Sequence, residues 1–203
     1  MTVRRYVAVV AAAASVASAG CRVETHKAGG DDNVKIATPF GGMQVKTNDA
    51  AVKTGIGLPE YPGATLVKKD KDNGAADINM SFGRFQLRVK AVSYRTQDSP
   101  EKVEAFYRSA LNRFGDVIKC SENHAVGTPA RTPEGLTCDK NRDNHMSIHD
   151  DGSSDNIELK AGSQQHQHIV TVEREGDGTK FGLIALDLPG HISIGDKENE
   201  AKQ

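Results

Sequence analysis

Asp98-Ser99-Pro100-Glu101-Lys102-Val103-Glu104-Ala105-Phe106-Tyr107-Arg108-Ser109-Ala110-Leu111-Asn112-Arg113-Phe114-Gly115 is the one long, well-punctuated helix signal in the chain. The spacing predicts a helix over about 99–114. Ser99 stands where a hydroxyl can accept from an orphan backbone N–H, and Pro100 stands where its missing N–H costs nothing. Asp98 and Glu101 put negative charge at the positive end of the helix dipole. Val103, Phe106, Tyr107, Ala110, Leu111 and Phe114 fall on one stripe, and Lys102, Glu104, Arg108, Asn112 and Arg113 on the other face. Glu104 and Arg108 form an i,i+4 pair, and Gly115 supplies a left-handed stop. A stripe this wide has to cover something. The aromatic pair Phe106-Tyr107 reads as core.

Strand-like runs lie on both sides of the helix. Val34-Lys35-Ile36-Ala37 and Met43-Gln44-Val45-Lys46 read as a hairpin across Thr38–Gly42. Asn48 to Gly57 reads as a loop or a poor strand. Leu58–Ala64 is a stiff connector, in which Pro62-Gly63 suits the centre of a type II turn. Ala64–Lys68 is a strand, and Asp70–Gly74 turns the chain. Ala76, Ile78, Met80 and Phe82 alternate with polar residues. Gly83-Arg84 is a two-residue turn, and Phe85–Arg95 is the longest strand, with a bulge or a phase shift expected at Ala91-Val92. Beyond the helix come Val117–Cys120, Asn156–Ala161, Gln167–Arg174 and Phe181–Leu188, the last apolar enough to be central. The fold class expected is α+β: an antiparallel β-sheet of about six to eight strands with one main α-helix packed on one face.

Residues 58–119 carry a resemblance. Leu58-Pro59-Glu60-Tyr61-Pro62-Gly63-Ala64, then strands, then Asp98-Ser99-Pro100-Glu101-Lys102-Val103 with Phe106-Tyr107, is similar to bacterial exported proteins of unassigned function. The shared residues are turn and helix-core positions, so the resemblance implies a fold and assigns no catalytic residue.

The 203 residues suffice for one domain plus tails, and 37% hydrophobic content fills one core. Net charge is −1, and Arg4 and Arg5 are the only charges before Cys21. With no basic surplus to meet phosphates, nucleic acid is a poor partner.

Residues 1–20 read as an export signal: Arg4-Arg5, a short apolar run, then Ser18-Ala19-Gly20 before Cys21. The segment resembles a bacterial lipoprotein signal. The resemblance implies cleavage before Cys21, diacylglycerol on its thiol and a lipid anchor. Ser18 departs from the large aliphatic usual there, so an ordinary secretory cut after Ala17-Ser18-Ala19 stays open. Arg22 after the cysteine resembles outer-membrane sorting. The localisation implied is the cell envelope, at the periplasmic face of the outer membrane, with a secreted or soluble periplasmic protein as the alternative. Residues 21–33, lacking apolar periodicity, read as the lipidated N-terminus and a flexible tether that reaches roughly 40 Å fully extended. Residues 34–190 then form a single domain, and 191–203 a mobile polar tail.

In an oxidising compartment Cys120 and Cys138 are expected to pair, closing a loop worth about 3 kcal/mol, with two free buried thiols as the alternative. His145 and His149, flanking a short strand near Asp150 and Asp151, share a face. His166 and His168 do the same on a later strand. Together they are candidate zinc or copper ligands. A wet strand face followed by a turn explains the same residues. No Gly-x-Ser-x-Gly elbow is present, so no hydrolase is expected, and no cofactor is implied. Two functions stay open: a non-enzymatic envelope module binding a protein, glycan or small ligand, and a metal-binding envelope protein using the four histidines.

Overall fold

Alternation along Phe85–Thr96 organises the sheet. The computed structural model describes residues 21–28, 31–67, 74–138 and 156–189. In chain order they form β1 (Arg22–Ala28), β2 (Asp31–Thr38), β3 (Gly41–Lys46), α1 (Asp49–Ile56), β4 (Thr65–Leu66), β5 (Ala75–Phe82), β6 (Phe85–Thr96) and α2 (Pro100–Leu111). After a 3₁₀ turn (Asn112–Phe114) come β7 (Ile118–Ser121), β8 (His124–Ala125), β9 (Ile157–Gly162), β10 (His166–Glu175) and β11 (Gly178–Asp187). All pairs are antiparallel, in the order β1-β2-β3-β5-β6-β11-β10-β9-β7-β8, with β4 also pairing β6. The fold is mainly β. The eleven strands among the described residues exceed the six to eight expected, because polar pieces such as β1 and the two-residue β8 add to the edges.

On β6, Val92 and Tyr94 lie in the core beneath the helices, while Leu87 and Val89 lie in a second cluster on the other face. The helix side packs Val103, Tyr107 and Leu111 of α2 and Val52 and Ile56 of α1 against Val92, Tyr94, Val170, Phe181 and Leu183. The far side gathers Leu87, Val89, Ile169, Ile184 and Leu186. Phe181–Leu188 was expected to be central, and β11 sits beside β6 in mid-sheet. Register is unbroken from Phe82↔Phe85 to Ala75↔Val92 and from Asp187↔Arg88 to Thr179↔Thr96. Neither the bulge nor the phase shift expected at Ala91-Val92 is therefore present. Both residues are apolar because both sheet faces pack there, which mimics a phase shift in the sequence.

Helix α2 runs as expected and passes into the 3₁₀ turn before Gly115, whose φ is +120°. Ser99 is its N-cap residue but makes no side-chain cap bond. Its hydroxyl instead donates to the Glu101 carboxylate, and this bond is the first cause that holds Glu101 below the usual carboxylate range. Asp98 ties down the start of the helix. It accepts from Tyr61 Oη at 2.9 Å and Lys102 Nζ at 2.9 Å, while its carbonyl accepts from Thr179 Oγ1 at 2.7 Å. The Lys102 and Tyr61 bonds lower its pKa. Gly63, at φ +74°, and the Ala64 N–H bond to the Tyr61 carbonyl form the turn expected at Pro62-Gly63.

Two expectations are corrected. Residues 48–57, read as loop or poor strand, contain α1, whose Val52 and Ile56 are one turn apart and each 1% exposed. Residues 22–28 and 31–33, within the expected tether, are β1 and the start of β2, paired from Arg22↔Ala37 to Ala28↔Asp31. An edge strand with little to bury shows no alternation, which is why its sequence looks like linker.

Cys120 and Cys138 are joined by a disulfide with Cα atoms 5.5 Å apart, beside buried Ile118 and Leu136. Residues 1–20, the turn residues 70–73, His145, His149 and the tail 191–203 lie outside the described residues.

Candidate functional site

The helices cover only part of their sheet face. Beyond the C-terminal end of α1 the same face turns polar, and the strand registers align its side chains in two rows. One row reads Lys35, Gln44, Asn79, Arg88, Asp187, His166 from β2 to β10. The next reads Asn33, Lys46, Asp77, Lys90, Ala185, His168. Where the rows cross β3, β5 and β6, Gln44, Lys46, Asp77, Asn79, Arg88 and Lys90 line a cavity of about 160 Å³. Three cations face one carboxylate and two amides there. Among the described residues, none of Lys46, Arg88 and Lys90 forms an ion pair. Gly55, in the last turn of α1, leaves room for the Lys90 side chain, since a Cβ there would collide with its ammonium. That places Lys90 against the negative end of a helix.

The expected metal ligands are placed as follows. His166 and His168 share the helix-bearing face, as the alternation requires. His166 is exposed, with Nδ1 2.9 Å from Asp187 Oδ1. His168 lies face to face with Phe114, centroids 3.6 Å apart. It donates to the Ile56 carbonyl that ends α1, and its buried Nδ1 has no hydrogen-bond partner. The two imidazoles thus face different partners. Among the described residues no group of three or more His, Cys, Asp or Glu side chains is gathered closely enough to hold a metal. His166–Asp187 resembles an acid–base dyad, but the neighbouring Ser163 Oγ accepts from the His166 backbone N–H at 3.1 Å, closing the β9–β10 turn.

Burial lowers the His168 pKa; Asp187 opposes this and Arg113 adds to it. The sign for stability follows. The unfolded chain takes up a proton near pH 6.5 while the folded imidazole stays neutral, so the unfolded state binds more protons below that pH. This contribution is complete above about pH 6.5 and is lost as pH falls toward the lowered folded value. His168→Gln is expected to flatten the fall of the urea midpoint between about pH 7 and pH 5. An unchanged slope would contradict the assignment.

The basin residues were legible only as the wet positions of separate strands. Their convergence depends on β3, β5 and β6 being neighbours, which alternation within each strand does not encode. Among the described residues no helix is long and apolar enough to cross a membrane. Compared with known family models, curated proteins and solved structures, the chain matches none.

Proposed function

We propose that the protein is an exported, lipid-anchored module of the bacterial envelope, held by diacylglycerol on Cys21, that binds an anionic ligand without catalysing a reaction on it. The observation that carries the binding role is the basin, where Lys46, Arg88 and Lys90 stand together without ion-pair partners among the described residues. Cations in a concavity beside amide donors suit a carboxylate or phosphate carried on a hydroxylated scaffold. The size supports a small group: a cavity of about 160 Å³ admits a charged head or one sugar ring, whereas drug-sized pockets start near roughly 300 Å³. The lipid anchor rests on the lipoprotein-like signal ending at Cys21. Arg22 after that cysteine supports the periplasmic face of the outer membrane as its location.

Calorimetric titration with a hexose phosphate and with the unphosphorylated hexose tests the binding role. The phosphate is expected to bind and the neutral sugar not. The Lys46→Gln/Arg88→Gln/Lys90→Gln variant is expected to weaken binding about tenfold or more, because each charge-assisted bond lost is worth more than about 1 kcal/mol. Rising salt should weaken the wild-type complex in the same direction. Equal binding of both sugars, or an unaffected triple variant, would contradict the proposal.

A further inference from the structure

We infer that the end of the sheet carrying Cys21 is a membrane-docking edge, with the β2–β3 and β5–β6 hairpin tips set into the lipid interface. The inference goes beyond the lipid anchor and rests on it only for orientation.

The register brings the pieces together. Arg22 pairs with Ala37, so Cys21 lies at the end of β2 where the chain turns through Pro39-Phe40. Gly41 pairs with Phe82, so the β5–β6 turn at Gly83-Arg84 stands beside the β2–β3 turn. With strands about 4.8 Å apart, the first tip lies within roughly 10 Å of the Cys21 strand and the second within roughly 20 Å. The tether correction matters here. Because β1 begins at Arg22, an acyl chain on Cys21 would hold the sheet end itself at the bilayer.

The chemistry of that end fits a lipid surface. Phe40 is 84% exposed, Val23 63% and Phe82 44%. Among the described residues one further large apolar side chain is exposed, Val126, on the disulfide-side connection after β8. Single exposed apolar side chains are ordinary, but three gathered around one cysteine are not scatter. The β2–β3 turn carries the aromatic Phe40 where Gly, Pro, Asn, Asp and Ser are the rule, and Thr38 Oγ1 closes it by donating to the Gly41 carbonyl at 2.7 Å. The Ser81 carbonyl and the Phe82 ring occupy the space a Gly41 side chain would need. Arg84 is exposed and forms no ion pair among the described residues, which suits an anionic headgroup. Arg22 is already paired with Glu24 at 2.6 Å.

The chain has no tryptophan, so Phe40→Trp and, as a control, Val126→Trp each introduce a single indole. The full chain is produced through the export pathway, its mass read for acylation, and it is placed in phosphatidylethanolamine–phosphatidylglycerol vesicles with brominated acyl chains. The indole at position 40 is expected to shift to the blue and lose roughly half its emission, as for a ring set about 5–10 Å into the interface, while that at 126 is unquenched. Neither indole quenched in an acylated protein would overturn the docking edge and leave the anchor standing. Quenching of both would overturn it as well. Quenching at 40 without acylation would support the edge and remove the anchor. No quenching and no acylation would remove both. A blue shift at 40 that follows protein concentration without lipid would mark self-association and overturn the lipid assignment.

Discussion

Phe181→Ala is expected to lower the unfolding free energy by about 3–5 kcal/mol, the range for truncating a large buried aromatic side chain. Phe181 is 1% exposed, in the central strand β11. Its ring stacks on Tyr94, centroids 5.5 Å apart and planes at 20°, and meets Tyr61 and Tyr107 at 5.9 and 5.5 Å. These rings come from β6, the 58–64 connector and α2. One side chain therefore joins sheet, connector and helix. The space it leaves cannot close easily, since a paired strand and a helix pinned by Asp98 bound it. Tyr107 Oη, which donates to the Pro59 carbonyl at 3.2 Å, would keep the helix in place over the void. Urea unfolding gives the measurement, with Phe40→Ala as a surface comparison expected within about 0.5 kcal/mol of wild type. A loss below about 1 kcal/mol for Phe181→Ala would contradict this packing.

Removing the disulfide with Cys120→Ser/Cys138→Ser is expected to cost about 3 kcal/mol, mostly by freeing the unfolded chain. The bridge spans 18 positions. Within the loop β8 pairs β7 at Cys120↔Ala125 and Ser121↔His124, Val126 N–H donates to the Lys119 carbonyl at 2.8 Å, and in the Thr132–Leu136 turn Leu136 N–H donates to Thr132 Oγ1 at 3.1 Å. Ile118 and Leu136, 0% and 1% exposed, pack around the bridge and would lose their cover as the loop loosens. Thermal melts of wild type with and without reductant should differ in the same direction. A double variant as stable as wild type would show that the loop is held by packing alone.

Helix α2 was readable because three kinds of signal agree there: Ser99-Pro100-Glu101 at the start, the stripe that buries Val103, Tyr107 and Leu111, and Gly115 at the stop. Ser99 does not cap with its side chain, because the nearby Glu101 carboxylate is the stronger partner and draws the hydroxyl as a donor. Helix α1 was not readable. Eight residues with Thr54 and Gly55 among them have weak intrinsic helicity, and its order comes from seating Val52 and Ile56 on β6. Strand β1 failed for the opposite reason: it buries too little to alternate. The disulfide was legible because only two cysteines remain after Cys21. The basin was half legible. Lys46, Asp77, Arg88 and Lys90 each alternate with apolar residues, but the sequence does not record that their strands are adjacent.

The most direct measurement is an amide NMR titration of the wild-type chain with a hexose phosphate. The expected result is a set of shifts confined to Gln44, Lys46, Asp77, Asn79, Arg88 and Lys90 and the neighbouring end of α1. Shifts centred on the disulfide loop, or none at concentrations where the ligand binds, would contradict the basin as the binding site.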